Sequence, residues 1–345
     1  MAAFLARLLA VALSSAGVST TPALADQPTP IILVNTYPPN GPDDIVGRTA
    51  TNKMLKLMTT FSAPALTDVL AARAATAMSF SLDRIVNVER RSYARGVPGI
   101  RYVVASRPNG DTLLFCNSLD LITQPRLHRL PYAPQRDLTP VGAVARMPIV
   151  MIARSSGGPA SVRAFLELAR GAPGELNYAS SGDYRSGHLA GELFVTRAGV
   201  SAVHVSYNGG NDAVNGVIKG QVSVAFVPLP SALPALPGGK IRVLGISDRV
   251  RHETLPQVPT ISEAGVPGFV AAGWFGLYAP AATPPAIVER LNRAIVTGLR
   301  TVQTERLLLA QGMQARFPSA AEFGELMRAE LKKWAPVLDR LNPPN

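Results

Sequence analysis

Short apolar runs alternate with helical patterns along nearly the whole of this sequence, and that alternation limits the fold more than any single motif. Strand-like runs fall at residues 31–34, 113–116, 148–153, 176–179, 203–205, 222–227, 241–246 and 275–278. Helical spacing fills the intervals. Ser161 is placed to cap a helix over 162–170 with Phe165, Leu168 and Ala169 on one face and Gly171 after its end. Residues 187–198 carry Leu189, Leu193 and Phe194 at helical spacing, and Thr283-Pro284-Pro285 opens a helix striped by Ile287, Leu291, Ile295 and Leu299. Thr260 with Glu263, and Ser319 with Glu322, fit the capping box of a helix start. Such alternation predicts an α/β chain with mostly parallel sheets. At 345 residues the chain is long enough for two cores, yet no linker, composition break or fixed-period repeat divides it. That pattern predicts two domains between which the chain crosses more than once, with a cleft between them.

The N-terminus predicts export. Residues 1–25 hold one charge, Arg7, then the apolar run 8–13, then small residues ending Ala23-Leu24-Ala25 before Asp26. This is the order of a secretory signal, with cleavage expected after Ala25. The apolar run is shorter than the ~20 residues that span a bilayer. One cysteine, Cys116, rules out an internal disulfide, and its apolar surroundings predict a buried small hydrophobe. The net charge of +11 admits nucleic acid, an anionic surface or acidic ligands, but no nucleic-acid-binding motif accompanies it.

Four loops have the composition to hold a small polar ligand. The stretch YPPNGPDD, with Tyr37, Pro39, Asn40, Gly41, Asp43 and Asp44, runs from a strand into a helix start. The Ser/Gly stretch 178–188 supplies Ser180, Ser181, Arg185 and His188. Tyr207, Gly209 and Gly210 follow another strand, and Trp274 with Phe275 lies among glycines. Backbone N–H groups at such turns hold anions, and ligands of open α/β sheets collect at the carboxyl ends of strands.

Enzyme signatures are scarce. There is no G-x-S-x-G, no P-loop and no G-x-G-x-x-G after a strand. His188 and Glu192 have a spacing compatible with a metal, though a helix-start histidine and a surface glutamate account for it as well. Ser181 and His188 together would make a nucleophile and base, with no acid evident to orient the imidazole. No cofactor is expected.

The strings LPYAPQRDLTPVGAVARMPIVM, LNYASSGDYRSGHLAGELF, VHVSYNGG, LPSALPAL and VPTISEAGVPGFVAAGWFGLYAPAATPPAIVERLN resemble the substrate receptors of tripartite tricarboxylate transporters, the Bug-type receptors. The likeness covers nearly the whole mature chain from Tyr102 onward, together with residues 31–48. It implies a two-domain periplasmic-binding-protein architecture of type II, the Venus flytrap, with the ligand in the interdomain cleft. The expected division is a signal peptide over 1–25, a first domain over 26–147 plus 273–345, and a second over 148–272. The resemblance implies a monomer in the periplasm that captures a small carboxylate or amino acid. It would present the ligand to membrane transporter subunits or to a sensor kinase.

In the family a ligand carboxylate is held by two facing loops, largely through backbone N–H groups and bridging waters. Carried over, these are the loops of Tyr37–Asp44 and Tyr207–Gly210, with Ser118, the Ser180–His188 loop, Trp274 and Phe275 lining the rest. The chain departs from the pattern at several points. Asn40-Gly41 stands for Gly-Gly, Asp43 for a hydroxyl residue, Asn208 for a lysine and Val227 for an aspartate. Asp43 either turns outward to favour the helix start or faces an amine-bearing ligand. Arg185 is a candidate to replace lost positive charge. Residues 89–96 replace a glycine-rich loop, and between Lys53 and Val88 the chain is roughly twenty residues longer than the pattern, which reads as an extra helix and loop.

Overall fold

The computed structural model describes residues 29–36 and 66–341, Tyr93 excepted. The N-terminal 25 residues and the stretch from Tyr37 to Asp44 lie outside the described residues. The strands are β1 (Ile31–Asn35), β2 (Val86–Arg90), β3 (Thr112–Asn117), β4 (Leu138–Arg154), β5 (Asn177–Ser180), β6 (Val203–Ser206), β7 (Val224–Pro228), β8 (Ile241–Ile246), β9 (Ala272–Pro280) and β10 (Gln314–Ala315). The helices are α1 (Leu66–Leu82), α2 (Val97–Val104), α3 (Ser118–Leu127), α4 (Pro134–Asp137), α5 (Val162–Gly171) and α6 (Ser186–Ala198). They continue with α7 (Gly210–Ile218), α8 (Leu229–Ala232), α9 (Pro285–Leu299), α10 (Val302–Ala310) and α11 (Ala320–Leu341). All eight strand-like runs of the sequence are strands.

The strands follow the order β2-β1-β3-β9-β4-β7-β5-β6, with β8 and β10 also on β4. Pairing is parallel in β2-β1-β3 and in β7-β5-β6. It is antiparallel wherever β4 or β9 takes part. The mostly parallel sheet expected from the alternation is therefore confined to the two flanks. The reason is connectivity: β4 carries the chain from one flank to the other and β9 carries it back, so they run in opposite directions. The first part of β4 pairs with β9 from Leu138 to Pro148, and the rest pairs with β7 and β8 from Ile149 to Arg154. Register shifts near Pro140 and Ala143 bend the first part. Only 148–153 of this strand was legible, because Pro140 and Gly142 break the apolar run before it.

Alternate residues of each strand enter different cores. Leu113, Phe115, Phe275 and Leu277 meet α1 and α9, whereas Leu114, Cys116, Trp274 and Tyr278 meet Phe323 of α11. On the other flank Met151, Tyr178 and Phe226 pack with Phe165, Phe194 and Trp334, and Val150, Ile152 and Val227 pack with Val214 and Val217. Both faces are covered, which is why the strands read as continuous apolar runs. Val227, where the family pattern has an aspartate, is one of these core residues.

The helix read as an addition to the pattern, α1, makes the crossover between the parallel β1 and β2 and buries Leu70, Ala74 and Met78. Its alanines let α9 approach so closely that a Cβ on Gly298 would lie 2.7 Å from Ala77 Cα. In α5 the buried face is Val162, Phe165, Leu166 and Ala169, and Leu168 is exposed instead. The Ser319–Glu322 capping box opens α11. The Thr260–Glu263 box makes both of its hydrogen bonds but closes only a single turn, ended by Gly265 at φ 124°. Among the described residues no helix is long and apolar enough to cross a membrane.

Candidate functional site

The parallel strands end in loops that feed helices. β2 leads through a 3-10 turn, Ala94–Gly96, into α2, while β3 leads into α3, β5 into α6 and β6 into α7. Helix starts placed there gather amide N–H groups that have no intrahelical partner. α3 is capped by Asn117, whose Oδ1 accepts the N–H of Leu119 at 2.9 Å. α2, α6 and α7 have no side-chain cap at Gly96, Arg185 or Gly209. Elsewhere Ser161, Thr301 and Ser319 cap α5, α10 and α11, whereas α4, α8 and α9 start at Ala133, Pro228 and Pro284 without a side-chain cap. What sets α2, α6 and α7 apart is their place: each of these open starts follows the carboxyl end of a parallel strand.

Two glycines seat α6 on its sheet. A Cβ on Gly187 would overlap the carbonyl oxygen of Phe226, and one on Gly191 would lie 2.6 Å from Tyr178 Cζ. Ser180 pairs with Ser206 across β5 and β6, which makes the loops after these strands neighbours. The Tyr207 N–H donates to Ser180 O at 3.1 Å, and the Tyr207 hydroxyl donates to Gln221 at 3.4 Å over Gly216. Tyr207 therefore continues the ladder and packs on α7, and the first amides of that helix follow from Gly209 and Gly210. Gly209 holds φ 124°, which lets the chain turn into the helix. Ser181 is buried. Arg185 is exposed, lies along Gly182, and has no ion pair among the described residues.

Beneath this loop lies a cluster that the sequence reading missed. The rings of His188 and His204 stack with centroids 3.8 Å apart and 5° between planes. His204 Nε2 lies 2.7 Å from Ser180 Oγ, and its Nδ1 is 3.6 Å from Asp183 Oδ1. The Tyr184 N–H donates to His188 Nδ1 at 2.9 Å. The Tyr184 contact fixes one tautomer, with neutral His188 carrying its proton on Nε2, while Ser180 Oγ can give its hydrogen either to His204 Nε2 or to Gly182 O. Burial lowers the proton affinity of both rings. His204 is held down to about 4, by burial first and its histidine neighbour second.

Asp183, His188 and His204 bring ligand-type atoms within 4.8 Å of one another. The stacked rings direct their in-plane lone pairs side by side rather than to one point, and His188 Nδ1 is already filled by an amide. This arrangement does not suit a metal ion. Glu192 is committed elsewhere: it accepts the Tyr178 hydroxyl at 2.6 Å and pairs with Arg340 at 2.9 Å. Burial, and then this bond, keeps the Tyr178 phenol protonated.

At the end of β3, Ser118 is buried at the first position of α3. A Cβ on Gly273 would lie 3.0 Å from Asn117 Nδ2, so the glycine admits that side chain. Trp274 and Phe275 cannot both wall one pocket, because neighbours in a strand face opposite ways. Phe275 stacks on Phe115 at 6.0 Å in the core, while Trp274 lies under the Arg146 guanidinium at 5.1 Å. Arg146 pairs with Asp248 at 2.8 Å, where β4 passes from one flank to the other. Asp248 also accepts the Arg249 N–H at 2.5 Å. Arg146 Nε and Asp248 Oδ2 are buried without partners. Burial raises the Asp248 carboxyl, and Arg146 opposes that. Ser180, Ser181, Arg185, His188, Tyr207, Gly209 and Gly210 thus share one end of β5 and β6, and Ser118 shares the end of β3 with Trp274. Tyr37, Pro39, Asn40, Gly41, Asp43 and Asp44 lie outside the described residues.

This fold, with its open helix starts, is that of periplasmic binding proteins. A protein of R. palustris solved with adipate is 28% identical, with TM-score 0.69 over 91% of this chain and 97% of that one. MatC of Rhodopseudomonas palustris, solved with malate, is 26% identical, with TM-score 0.67 over 90% and 98%. The profile of the tripartite tricarboxylate transporter family receptor matches residues 29–342, and the chain belongs to that family of solute-binding receptors. An uncharacterised-family protein encoded between tcbD and tcbE in Pseudomonas sp. strain P51 is 30% identical over 90% of this chain and 85% of its own. BugT of Bordetella pertussis is 30% identical over 82% and 88%.

Proposed function

We propose that this chain is an exported receptor that captures a small carboxylate reversibly and delivers it to the membrane subunits of a tripartite transporter. The observation that carries the reading is the set of uncapped helix starts of α6 and α7 on adjacent parallel strands. Amides there stabilise a carboxylate through charge-assisted bonds and the helix dipole. The adipate and malate held by the two related structures support the same ligand class. The signal-like N-terminus supports export with cleavage after Ala25. The two passages of the chain through β4 and β9 support lobes over 26–147 plus 273–345 and over 148–272, and the receptor would work as a monomer. The C-terminal half of α11 would strap them together, since Trp334 and Leu338 pack into the core of the second flank. Ser118, Ser180, Ser181, Arg185, His188, Tyr207, Gly209, Gly210 and Trp274 would line the site, with Phe275 supporting Trp274 from the core. The loop from Tyr37 to Asp44 would face them.

A hydrolase built on this loop is the weaker reading. The serine that meets a histidine is Ser180, not Ser181, and Asp183 completes the chain of contacts through His204. Ser180 is fully buried, and a histidine held near 4 is a weak base at neutral pH. The receptor reading predicts binding without turnover.

The test is a thermal-shift screen of the protein from Asp26 against mono-, di- and tricarboxylates and amino acids. A ligand at a hundred times its Kd stabilises the folded state by about 2.7 kcal/mol. No concentration-dependent rise in Tm with any acid at millimolar concentration would sink the reading. Consumption of an ester or amide, abolished by Ser180→Ala, would favour the hydrolase.

A further inference from the structure

We propose that the stacked His188–His204 pair is a proton-operated latch that holds the Ser180–Ser186 loop in its binding shape and lets it go in acid. Tyr184 adopts φ 58°, a left-handed conformation that costs a non-glycine residue energy and persists only where its surroundings hold it. Its amide is held by His188 Nδ1, and its ring meets the His188 ring edge-on at 5.7 Å. That amide bond exists only while His188 Nδ1 is unprotonated. A proton there sets one N–H against another, and the Tyr184 turn loses its hold.

His204 behaves differently. When its Nε2 gains a proton, Ser180 Oγ can accept from it and turn its own hydrogen to Gly182 O, 3.2 Å away. His204 is thus a tolerant partner and His188 the intolerant one. Face-to-face rings 3.8 Å apart disfavour two positive charges, so the pair responds as a unit.

The charged and titratable groups facing the pair are few. Asp183 comes from the loop and Glu192 from α6, and both favour protonation. Arg340 of α11 neutralises Glu192, and Tyr178 of β5 stays protonated beside it. Arg185 lies along Gly182 on the loop. Strand β7 faces the cluster with the apolar Phe226. Burial opposes protonation of both rings, which leaves the latch shut at neutral pH. The first turn of α6 follows this loop directly, so release displaces amides assigned above to the ligand. That consequence for affinity rests on the receptor reading, whereas the movement of the loop does not.

Hydrogen exchange on the unliganded protein tests the latch. The Tyr184 amide, corrected for its intrinsic rate, is expected to lose protection on the order of tenfold from pH 7.5 to 4.5, the worth of about one hydrogen bond. In His188→Asn the side-chain oxygen replaces Nδ1 as acceptor and does not titrate, so protection is expected to hold at both pH values. Equal protection at both pH values in the unmodified protein, or loss in His188→Asn as well, overturns the proposal. Affinity for adipate and succinate is then measured in both proteins. Whatever the variant's affinity at pH 7.5, the ratio of unmodified to variant affinity is expected to fall in acid, with titration of the acids themselves cancelling. A constant ratio overturns the link from latch to ligand. Failure of both acids to bind either protein counts against the carboxylate reading and leaves the exchange result to decide the latch.

Discussion

Removing one partner of the Arg146–Asp248 pair should cost far more stability than the pair contributes. Asp248 is 1% exposed and its partner's side chain 13%, so neither charge has much access to water. Breaking a buried pair typically costs about 3–5 kcal/mol, because the survivor keeps its desolvation penalty without the attraction that offset it. Asp248→Ala leaves a guanidinium that cannot lose its proton, with Trp274 under it, Glu330 attracting it and Arg316 and Arg249 repelling it. The expected cost is about 3–5 kcal/mol. Arg146→Met leaves a carboxyl that burial already favours protonating, so its cost should be smaller at low pH. An aspartate whose folded-state pKa lies above its unfolded value binds more protons when folded, and its stability therefore falls as pH rises. The Arg146→Met variant should accordingly be less stable at pH 7 than at pH 5, relative to the unmodified protein. The double variant removes both charges and both orphaned atoms, and should be no less stable than Asp248→Ala alone. Urea unfolding followed by tryptophan fluorescence reads all four proteins, and Trp274 is one of only two tryptophans. Single variants costing under about 1 kcal/mol, with costs that simply add in the double variant, would refute the reasoning.

Three further outcomes are expected. Gly187→Ala should destabilise the protein by about 1–3 kcal/mol despite alanine's helix propensity, because its methyl group meets the Phe226 carbonyl, which cannot move aside; chemical denaturation checks it. Cys116 is fully buried and its thiol is raised by burial, so a thiol reagent should leave the native protein alone and modify one group per chain once denaturant is added. His188 and His204 are both depressed when folded, so the stability they support is present above about pH 6.5 and is lost toward pH 4; denaturation midpoints in that window should fall less for a His188→Asn/His204→Gln protein.

The sequence by itself determined the class of fold. Strands buried on both faces appear as continuous apolar runs, so all eight runs are strands, and the loops after β5 and β6 announce themselves by glycine and serine after a strand. Cys116 was legible as a core residue because it ends the apolar run Leu113-Leu114-Phe115. The family was legible because long strings occur in order. Other features depend on pairs far apart in the chain and leave no local pattern. β2 is an edge strand with the sequence VNVER, half exposed and without an apolar run, so nothing marked it. The antiparallel centre follows from where β4 and β9 lie, not from their composition. Ser181 was the serine weighed, and set aside, as a partner of a histidine, and alternation across β5 and β6 gives that place to Ser180 and His204. Trp274 and Phe275 look equivalent in sequence until the pleat turns one toward Arg146 and the other into the core. No local pattern marks Arg146 or Asp248, and only the crossing of β4 with the tail of β8 takes both out of water. Local hydrophobic pattern thus set which segments form strands and helices, while tertiary packing set which polar groups meet, because a hydrogen bond needs two partners in space and a sequence lists only one at a time.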